Sequence, residues 1–369
     1  MSLFKLKGWM GEKYKDEDAP FFGSLNVIPA THNSAAVHPK NAKHCIPWGW
    51  AKCQSASIVD QLNMGIRCFD LRLRIKRPVI KKAELDAGKQ VTDEDTTYSV
   101  THFFESTYTL HHVIDVIDIF LHLNPTETVF VMIKPEWKSR GKWTFGDLDV
   151  MWKKIGQTSN VLTNDVCSKK LSDLTFGDVR GKMIVMPNGH FYHSYNDRVT
   201  GDDDRKVNCG RDVSVIHNLR IVYPRFLNVC ENWDAGGVSN AKNNIENFLD
   251  SNLSTDRVTY PFMETNVLLW KGAVPPAISY LFMHYYLKNQ FDIEKQRESN
   301  EGAGDDNVNS KRMGFVLLDF ANEDIVRKLL SNNLTVEAEE NVAIEVEEKE
   351  GLEEKDEEKG GEMVDVDLS

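Results

Sequence analysis

The sequence predicts an α/β fold, a (β/α)8 barrel of the TIM type in which the barrel is distorted or incompletely closed. About eight short apolar runs typical of strands alternate with segments whose apolar residues have helical spacing. The run Thr128 to Lys134 is continuously apolar and rich in β-branched residues, as expected for a parallel strand covered on both faces. Polar residues repeatedly stand where a strand run ends, which is where such barrels carry their active sites.

The strands and helices are predicted in chain order. Strands are expected at residues 25–30, 66–73, 98–102, 128–134, 183–186, 226–230, 260–269 and 315–320. Helical spacing covers residues 58–64, 110–123, 145–155, 239–249, 277–287 and 324–330, and a short helix is expected within residues 5–20. Gly65 follows the first of these periodic segments and is predicted to end its helix.

The chain divides into one domain, residues 1–333, and an acidic tail, residues 334–369. Within the domain, the polar segments 76–97 and 290–312 are predicted as surface loops. The net charge of the whole chain is -12, and residues 337–369 alone carry that same net charge, so the remainder is neutral. The tail has no aromatic residues and is predicted to be disordered. A neutral body argues against nucleic-acid binding, which requires a concentrated basic face.

The cysteine pattern and the hydropathy limit the function further. The chain has six cysteines and no CxxC pair, so we expect no zinc site. No signal peptide is recognisable and no run of about 18 apolar residues occurs, so we expect no membrane span. These features predict a cytoplasmic protein, and we expect it to be a monomer.

Two histidines at strand ends, His32 and His102, suggest acid–base chemistry. Asp70 and Arg72 end another predicted strand, and Asp319 lies near the end of the last one. One neutral imidazole can take a proton from an attacking hydroxyl while a protonated one donates to a leaving oxygen. Arginine matches phosphate oxygens, and the two carboxylates are candidates for fixing a histidine tautomer. The set suits phosphoryl transfer without a metal.

The order of these residues resembles a known family. The motifs are Thr31-His-Asn-Ser34, Gln61-Leu-x-x-Gly-Ile-Arg-x-Phe-Asp-Leu-Arg72, His102 and Phe120-Leu-x-x-Asn-Pro-x-Glu-Thr-Val-x-Val-x-Ile-Lys134, with later landmarks at Arg180-Gly-Lys, Val229-x-Glu-Asn-Trp233 and Phe315-Val-Leu-Leu-Asp-Phe320. Together they resemble the X domain of phosphatidylinositol-specific phospholipase C. The likeness is strongest to the single-domain bacterial and trypanosomal type that cleaves glycosyl-phosphatidylinositol, and it covers residues 5–333.

The resemblance implies a lipid phosphodiesterase that releases diacylglycerol and inositol 1,2-cyclic phosphate. By this resemblance, His32 is the general base on the inositol 2-hydroxyl, and His102 is the general acid on the diacylglycerol oxygen. Arg72 binds the phosphate, with Asp70 beside it, and Asp319 orients His32. The residues matched to inositol binding are Lys134, Glu136, Glu231 and Trp233.

Asn33 departs from the bacterial pattern, in which an aspartate follows the first histidine. Calcium-dependent members also have asparagine there, as a metal ligand, but they carry an acid where this chain has Arg72. The resemblance therefore implies a calcium-independent reaction at a site that includes Asn33, with no metal and no cofactor.

The resemblance also implies a phosphatidylinositol-type lipid as substrate and a peripheral membrane surface as partner. Trp48, Trp50 and Trp270 flank the predicted rim and are candidates for membrane contact, because tryptophan favours the interface. The alternative is that these tryptophans pack under the rim.

Two other functions of the protein stay open. One is a weak or inactive X-domain module that binds membranes or proteins. The other is a phosphodiesterase acting on glycerophosphodiesters or sphingomyelin, which would require a cluster of metal-binding acids.

Overall fold

The computed structural model describes a large part of the chain. Backbone and side chains are described for residues 5–37, 52–77, 96–102, 104–136, 143–162, 169, 173–187, 240, 243–248 and 313–331, except that only the backbone of residue 145 is described. The backbone alone is described for the strands at 206–208, 213–216, 219–222, 227–230 and 260–264. The predicted loop 290–312, the predicted helix 277–287, the tail and most of the predicted loop 76–97 lie outside these residues.

Twelve strands of the described residues form one mixed sheet. They are β1 (Val27–Thr31), β2 (Cys68–Lys76), β3 (Thr97–His102), β4 (Phe104–Thr109), β5 (Thr128–Pro135), β6 (Lys182–Pro187), β7 (Lys206–Asn208), β8 (Val213–Ile216), β9 (Leu219–Val222), β10 (Leu227–Cys230), β11 (Tyr260–Glu264) and β12 (Gly314–Leu318). Both β2 and β3 extend into the ends of the predicted loop 76–97, because Lys76 pairs with Thr97.

Eight of these strands run parallel in the order β10, β11, β12, β1, β2, β5, β6, β9. The last strand lies beside the first, from Val27 opposite Gly314 to Thr31 opposite Leu318, as a barrel requires. No pairing joins β9 to β10 within the described strands, so the described sheet is open there. The predicted mixed α/β fold is confirmed, whereas the arrangement of these strands as a (β/α)8 barrel stays a prediction.

One predicted strand has the wrong place in the sheet. The segment 98–102 was expected as a parallel barrel strand, but β3 runs antiparallel to β2 and forms a hairpin with β4. Its place among the eight parallel strands is taken by β9, which the sequence did not reveal. Apolar–polar alternation marks a strand but carries no information about its direction, and a four-residue strand gives too short a pattern.

Helices cover the sheet between the strands. They are α1 (Trp9–Lys13), α2 (Phe21–Ser24), α3 (Ile58–Asn63), α4 (Leu110–Leu123), α5 (Phe145–Gly156), α6 (Phe176–Val179) and α7 (Glu323–Ser331), with a 3-10 turn at Leu6–Gly8. Ser57 and Asp60 form a capping box at the start of α3, and Gly65 follows its end with a φ of 98°. None of the described helices combines the length and the apolar character needed to cross a membrane.

A buried ion pair holds the N-terminal segment against the sheet. Nη2 of Arg67 lies 2.7 Å from Oε2 of Glu127, and neither side chain is accessible to solvent. The guanidinium also donates to the carbonyl of Leu62, and Glu127 accepts from the backbone N–H of Gly11. Arg67 directly precedes β2 and Glu127 directly precedes β5. Both therefore lie at the amino ends of these strands, opposite to the carboxyl ends where the predicted site residues lie. These parts of the two motifs therefore serve the stability of the fold.

Candidate active site

His32 is fixed by its backbone at the end of β1. Its N–H donates to the carbonyl of Leu318 at 3.0 Å, which extends the pairing of β1 with β12. The amide of Gln54 donates to the carbonyls of both residues, at 2.9 and 2.8 Å. The imidazole is buried. Its position is therefore set by two strands and one side chain, which limits its freedom before any substrate arrives.

The two ring nitrogens of His32 have different partners. Nδ1 lies 2.9 Å from Oδ1 of Asp319, an acceptor. Nε2 lies 2.9 Å from Nη2 of Arg72 and 2.7 Å from Nδ2 of Asn33, both donors. A neutral ring satisfies this arrangement by donating from Nδ1 and accepting at Nε2. The partners thus assign the Nδ1–H tautomer, with the basic lone pair directed at the guanidinium.

Asn33 bridges three parts of the site. Its backbone has a φ of 44°, in the left-handed region that asparagine tolerates, and its N–H donates to Oδ2 of Asp70 at 3.1 Å. The carboxamide contacts both His32 and the sulfur of Cys53, the latter at 3.7 Å. Its Oδ1 is buried and accepts no hydrogen bond from the described residues.

Asp70 carries a permanent charge at the centre of the site. Its Oδ1 lies 3.0 Å from Nζ of Lys134. Burial would raise the pKa of this carboxyl, but the charges of Lys134 and Arg72, with smaller contributions from the ring of His32 and the N–H of Asn33, outweigh it and lower the pKa to about 2. Asp319, rather than Asp70, is the carboxylate hydrogen-bonded to His32, while Asp70 holds the turn after β1 and the end of β5.

His102 approaches His32 from the hairpin. Leu73 pairs with Val100, so the end of β3 lies alongside the segment Asp70 to Arg72 of β2. The imidazole is buried, and its ring centroid is 6.1 Å from that of His32 at an interplanar angle of 73°. One phosphodiester group can therefore contact both rings.

Hydrogen bonds among buried side chains connect the motif Thr31–Ser34 with the motif Gln61–Arg72. Ser34 Oγ accepts from the N–H of Asp70 at 2.8 Å and donates to the carbonyl of Thr31. Gln61 accepts from the hydroxyl of Thr31 and donates to the carbonyl of Ser34, at 2.8 and 2.9 Å. Gln61 belongs to the recognised motif but was assigned no role in the sequence. Gln54 lies outside the motifs, and no pattern in the sequence marks it.

Cys53 was likewise not predicted from the sequence as a residue of the site. Its sulfur lies 3.5 Å from Nδ1 of His102, and the side chain is buried. A single cysteine without a second cysteine or a histidine at metal-ligand spacing gives no sequence signal. Together with His32 and Asp319, it forms the group that could hold a metal ion among the described residues.

The structure brings most of the predicted site residues to one end of the sheet. His32, Asn33, Asp70, Arg72, His102, Lys134 and Asp319 meet there. Glu136 is buried just beyond β5, where its N–H donates to the carbonyl of Leu73. Glu231, Trp233, Trp48, Trp50 and Trp270 lie outside the described residues.

Solved structures of bacterial enzymes are similar to this chain. The phosphatidylinositol-specific phospholipase C of Staphylococcus aureus, determined in work on modulation of its membrane binding, matches with a TM-score of 0.59 and 17% identity. The match covers 90% of this chain and 98% of that one. The enzyme of Listeria monocytogenes matches with a TM-score of 0.57 and 16% identity, over 90% of this chain and 100% of that one. The chain has the fold of these bacterial phospholipases. No family model matches the sequence, and at such identities the likeness shows the fold alone.

Proposed function

We propose that the protein is a phosphodiesterase of the phosphatidylinositol-specific phospholipase C type. It cleaves phosphatidylinositol, or a glycosylated relative, to diacylglycerol and inositol 1,2-cyclic phosphate. The observation that carries the proposal is the setting of His32. This imidazole is held between the carboxylate of Asp319 and the guanidinium of Arg72, with the second imidazole, His102, 6.1 Å away.

The tautomer of His32 suits a general base. Nε2 takes the proton of the inositol 2-hydroxyl, and Asp319 stabilises the imidazolium that forms, because it already accepts the Nδ1–H. The freed 2-oxygen attacks the phosphorus. The bond from phosphorus to the diacylglycerol oxygen breaks, and His102 donates a proton to that oxygen.

Arg72 is the cation placed to bind the phosphate. Its guanidinium reaches Nε2 of His32, and its Nε has no hydrogen-bond partner among the described residues. A planar guanidinium presents several donors to the oxygens of a phosphate and offsets the charge that develops on them. The neighbouring Lys134 is paired with Asp70, which leaves Arg72 as the main source of positive charge for the substrate.

We also propose that the reaction does not depend on calcium, and the pairing of the carboxylates supports this. Calcium takes about six to eight oxygen ligands. Asp70 is paired with Lys134 and Asp319 with His32, and the positive charge of Arg72 stands between the two pairs. We expect cleavage to persist in a calcium chelator, and loss of activity on chelation that calcium restores would contradict this.

A phosphorus NMR time course tests the reaction. Wild-type protein with phosphatidylinositol in detergent micelles and chelator should release the cyclic phosphate. Removing the base by His32→Ala should slow this release by roughly 10²–10⁴-fold. His112→Ala is the matched control, because His112 lies exposed on α4, and it should leave the rate unchanged. If the wild-type chain releases no cyclic phosphate, a non-catalytic module that binds lipid replaces the enzyme as the function.

A lipid substrate lies in a membrane, so the protein must act at the membrane surface. We propose that Trp48, Trp50 and Trp270 contact that surface. The basis is sequence alone, namely the interfacial preference of tryptophan. The double variant Trp48→Ala with Trp50→Ala should bind liposomes more weakly and still cleave a soluble substrate. Equal loss of both properties would instead indicate that these side chains pack within the protein.

A further inference from the structure

Three buried side chains from distant parts of the chain converge beneath the proposed phosphate site. The ligand atoms of His32, Cys53 and Asp319 all lie within 4.8 Å of one another. Their exposed fractions are 4%, 1% and 6%. His32 follows β1, Cys53 lies before α3 and Asp319 follows β12. The sequence predicts no such site, because the three residues have no ligand spacing along the chain.

We propose that His32, Cys53 and Asp319 bind a thiophilic divalent cation of the Zn²⁺ class, and that this binding switches the active site off. The switch rests on the proposed function, since it concerns the same His32. The binding of the cation is independent of that function.

The donor set favours zinc over calcium or magnesium. It combines an imidazole nitrogen, a thiol sulfur and a carboxylate oxygen, which are the three ligand types of protein zinc sites, whereas calcium and magnesium require oxygen. Zinc–ligand bonds of about 2.0–2.3 Å place tetrahedral ligand atoms roughly 3.4–3.7 Å apart. Nδ1 of His32 and Oδ1 of Asp319 are 2.9 Å apart. The ligand atoms of the three residues all lie within 4.8 Å of one another. Small side-chain rotations, opening the first distance and closing the others, produce that geometry.

The charges also balance around a divalent ion. Cys53 is buried beside Asp319, and a cysteine binds a metal ion as its thiolate. A bound cation displaces the thiol proton. The resulting thiolate and the carboxylate of Asp319 then offset both charges of the ion, which lowers the cost of placing it beside Arg72.

Asn33 and His102 supply polar groups for the remaining coordination position. The carboxamide of Asn33 contacts both His32 and Cys53, and its buried Oδ1 accepts no hydrogen bond from the described residues. Nδ1 of His102 lies 3.5 Å from the sulfur of Cys53. An unused oxygen and a second imidazole at the same point are groups that a fourth ligand position requires.

Coordination and catalysis exclude each other in this arrangement. A cation bound to His32 occupies a ring nitrogen, so that the imidazole cannot carry the Nδ1–H and accept at Nε2 at the same time. It also takes the carboxylate of Asp319 away from its role in orienting the ring. An occupied site therefore has no general base.

Cobalt absorption tests the binding directly, using the full chain freed of metal. Co²⁺ should produce a near-ultraviolet charge-transfer band that arises only when a thiolate binds the metal, and Zn²⁺ should displace it. Cys53→Ala should abolish the band and weaken Zn²⁺ binding by more than about 10–100-fold, which is the loss when only an outer partner of a ligand is removed. Cys68→Ala is the matched control, because Cys68 is the other buried cysteine whose side chain the structure describes, and it should keep the band. Absence of the band in the wild type, or its persistence in Cys53→Ala with folding verified by circular dichroism, overturns the proposal.

Zinc titration of lipid cleavage tests the switch. Wild type and Cys68→Ala should lose activity with Zn²⁺ and regain it with chelator, whereas Cys53→Ala, compared with its own metal-free rate, should resist. Zinc binding that leaves cleavage unchanged overturns the switch. A chain that shows the Cys53-dependent band but cleaves no phosphatidylinositol without metal refutes the proposed function and supports the metal site.

Discussion

Replacing Asp319 by asparagine tests the assignment of His32 as the base. The substitution keeps the size of the side chain and removes its charge. Oδ1 of Asp319 accepts the Nδ1–H of His32 at 2.9 Å, and both side chains are buried. Asparagine can offer its NH₂ group to the ring in place of an acceptor, which would favour the tautomer with the proton on Nε2. That tautomer cannot accept a proton from the inositol hydroxyl.

The size of the effect follows from the hydrogen bond that is lost. A hydrogen bond to a charged group contributes about 1.5–3 kcal/mol. At about 1.4 kcal/mol for each factor of ten, Asp319→Asn should lower kcat roughly 10- to 150-fold. KM should change little, because Asp319 contacts His32 and the phosphate is bound by Arg72. Initial rates of cyclic phosphate release over a range of lipid concentrations separate the two constants.

A matched control and a double variant make this prediction specific. Glu323→Gln makes the same carboxylate-to-amide change on α7, where the side chain is 64% exposed and lies 3.6 Å from Arg327. It should leave kcat unchanged, because exposed ion pairs contribute little. Asp319→Asn should cause no further loss in a His32→Ala background, since it acts through that ring. A full additional loss there, or an unchanged kcat in the single variant, would refute the role of Asp319.

Three further predictions concern stability. Glu127→Gln leaves the buried guanidinium of Arg67 without a counter-charge and should reduce the free energy of unfolding in urea by about 3–5 kcal/mol. Gly65→Ala should destabilise by at least about 1–2 kcal/mol, because Gly65 has a φ of 98° and a Cβ would lie 3.1 Å from a side-chain carbon of α7. Gly146→Ala should not destabilise, because its Cβ would lie 3.9 Å from the hydroxyl oxygen of Thr144, an ordinary contact distance. The folded-state pKa of Asp70 is lowered to about 2, so its contribution of about 2–3 kcal/mol should be complete above the unfolded pKa near 4 and disappear as the pH falls towards 2. Asp70→Asn should remove that part of the pH dependence of urea unfolding, and an unchanged pH profile would contradict it.

Local patterns predicted most of the elements. The helices over residues 58–64, 110–123 and 324–330 and the buried strand after Glu127 agree closely with α3, α4, α7 and β5. These segments are periodic or continuously apolar over a length that matches one element, so their own residues carry the information. The predicted direction of β3 was wrong because the direction of a strand depends on the strand with which it pairs. For β3 this partner is β2, and the alternation of residues within β3 does not reveal which partner it has.

The site was predictable to the extent that its residues lie at strand ends. His32, Arg72 and Asp319 were chosen for that reason, and the parallel sheet brings them together because β1 pairs with both β2 and β12. Their pairwise contacts were less predictable. Asp70 was one of two candidates to orient a histidine, and it binds Lys134 instead. Lys134 lies on the neighbouring strand β5 opposite Arg72, two residues beyond Met132, the partner of Asp70.

The sequence by itself determined the positions of eight of the twelve described strands, which polar side chains stand at their ends, and where the charge of the acidic tail lies. Those properties depend on neighbours along the chain. Only the tertiary structure decided that Asp319 meets His32 across 287 positions and that Cys53 meets His102 across 49. Such contacts arise because the sheet and its hairpin bring separate segments to one point. The same convergence places a thiol beside the proposed base.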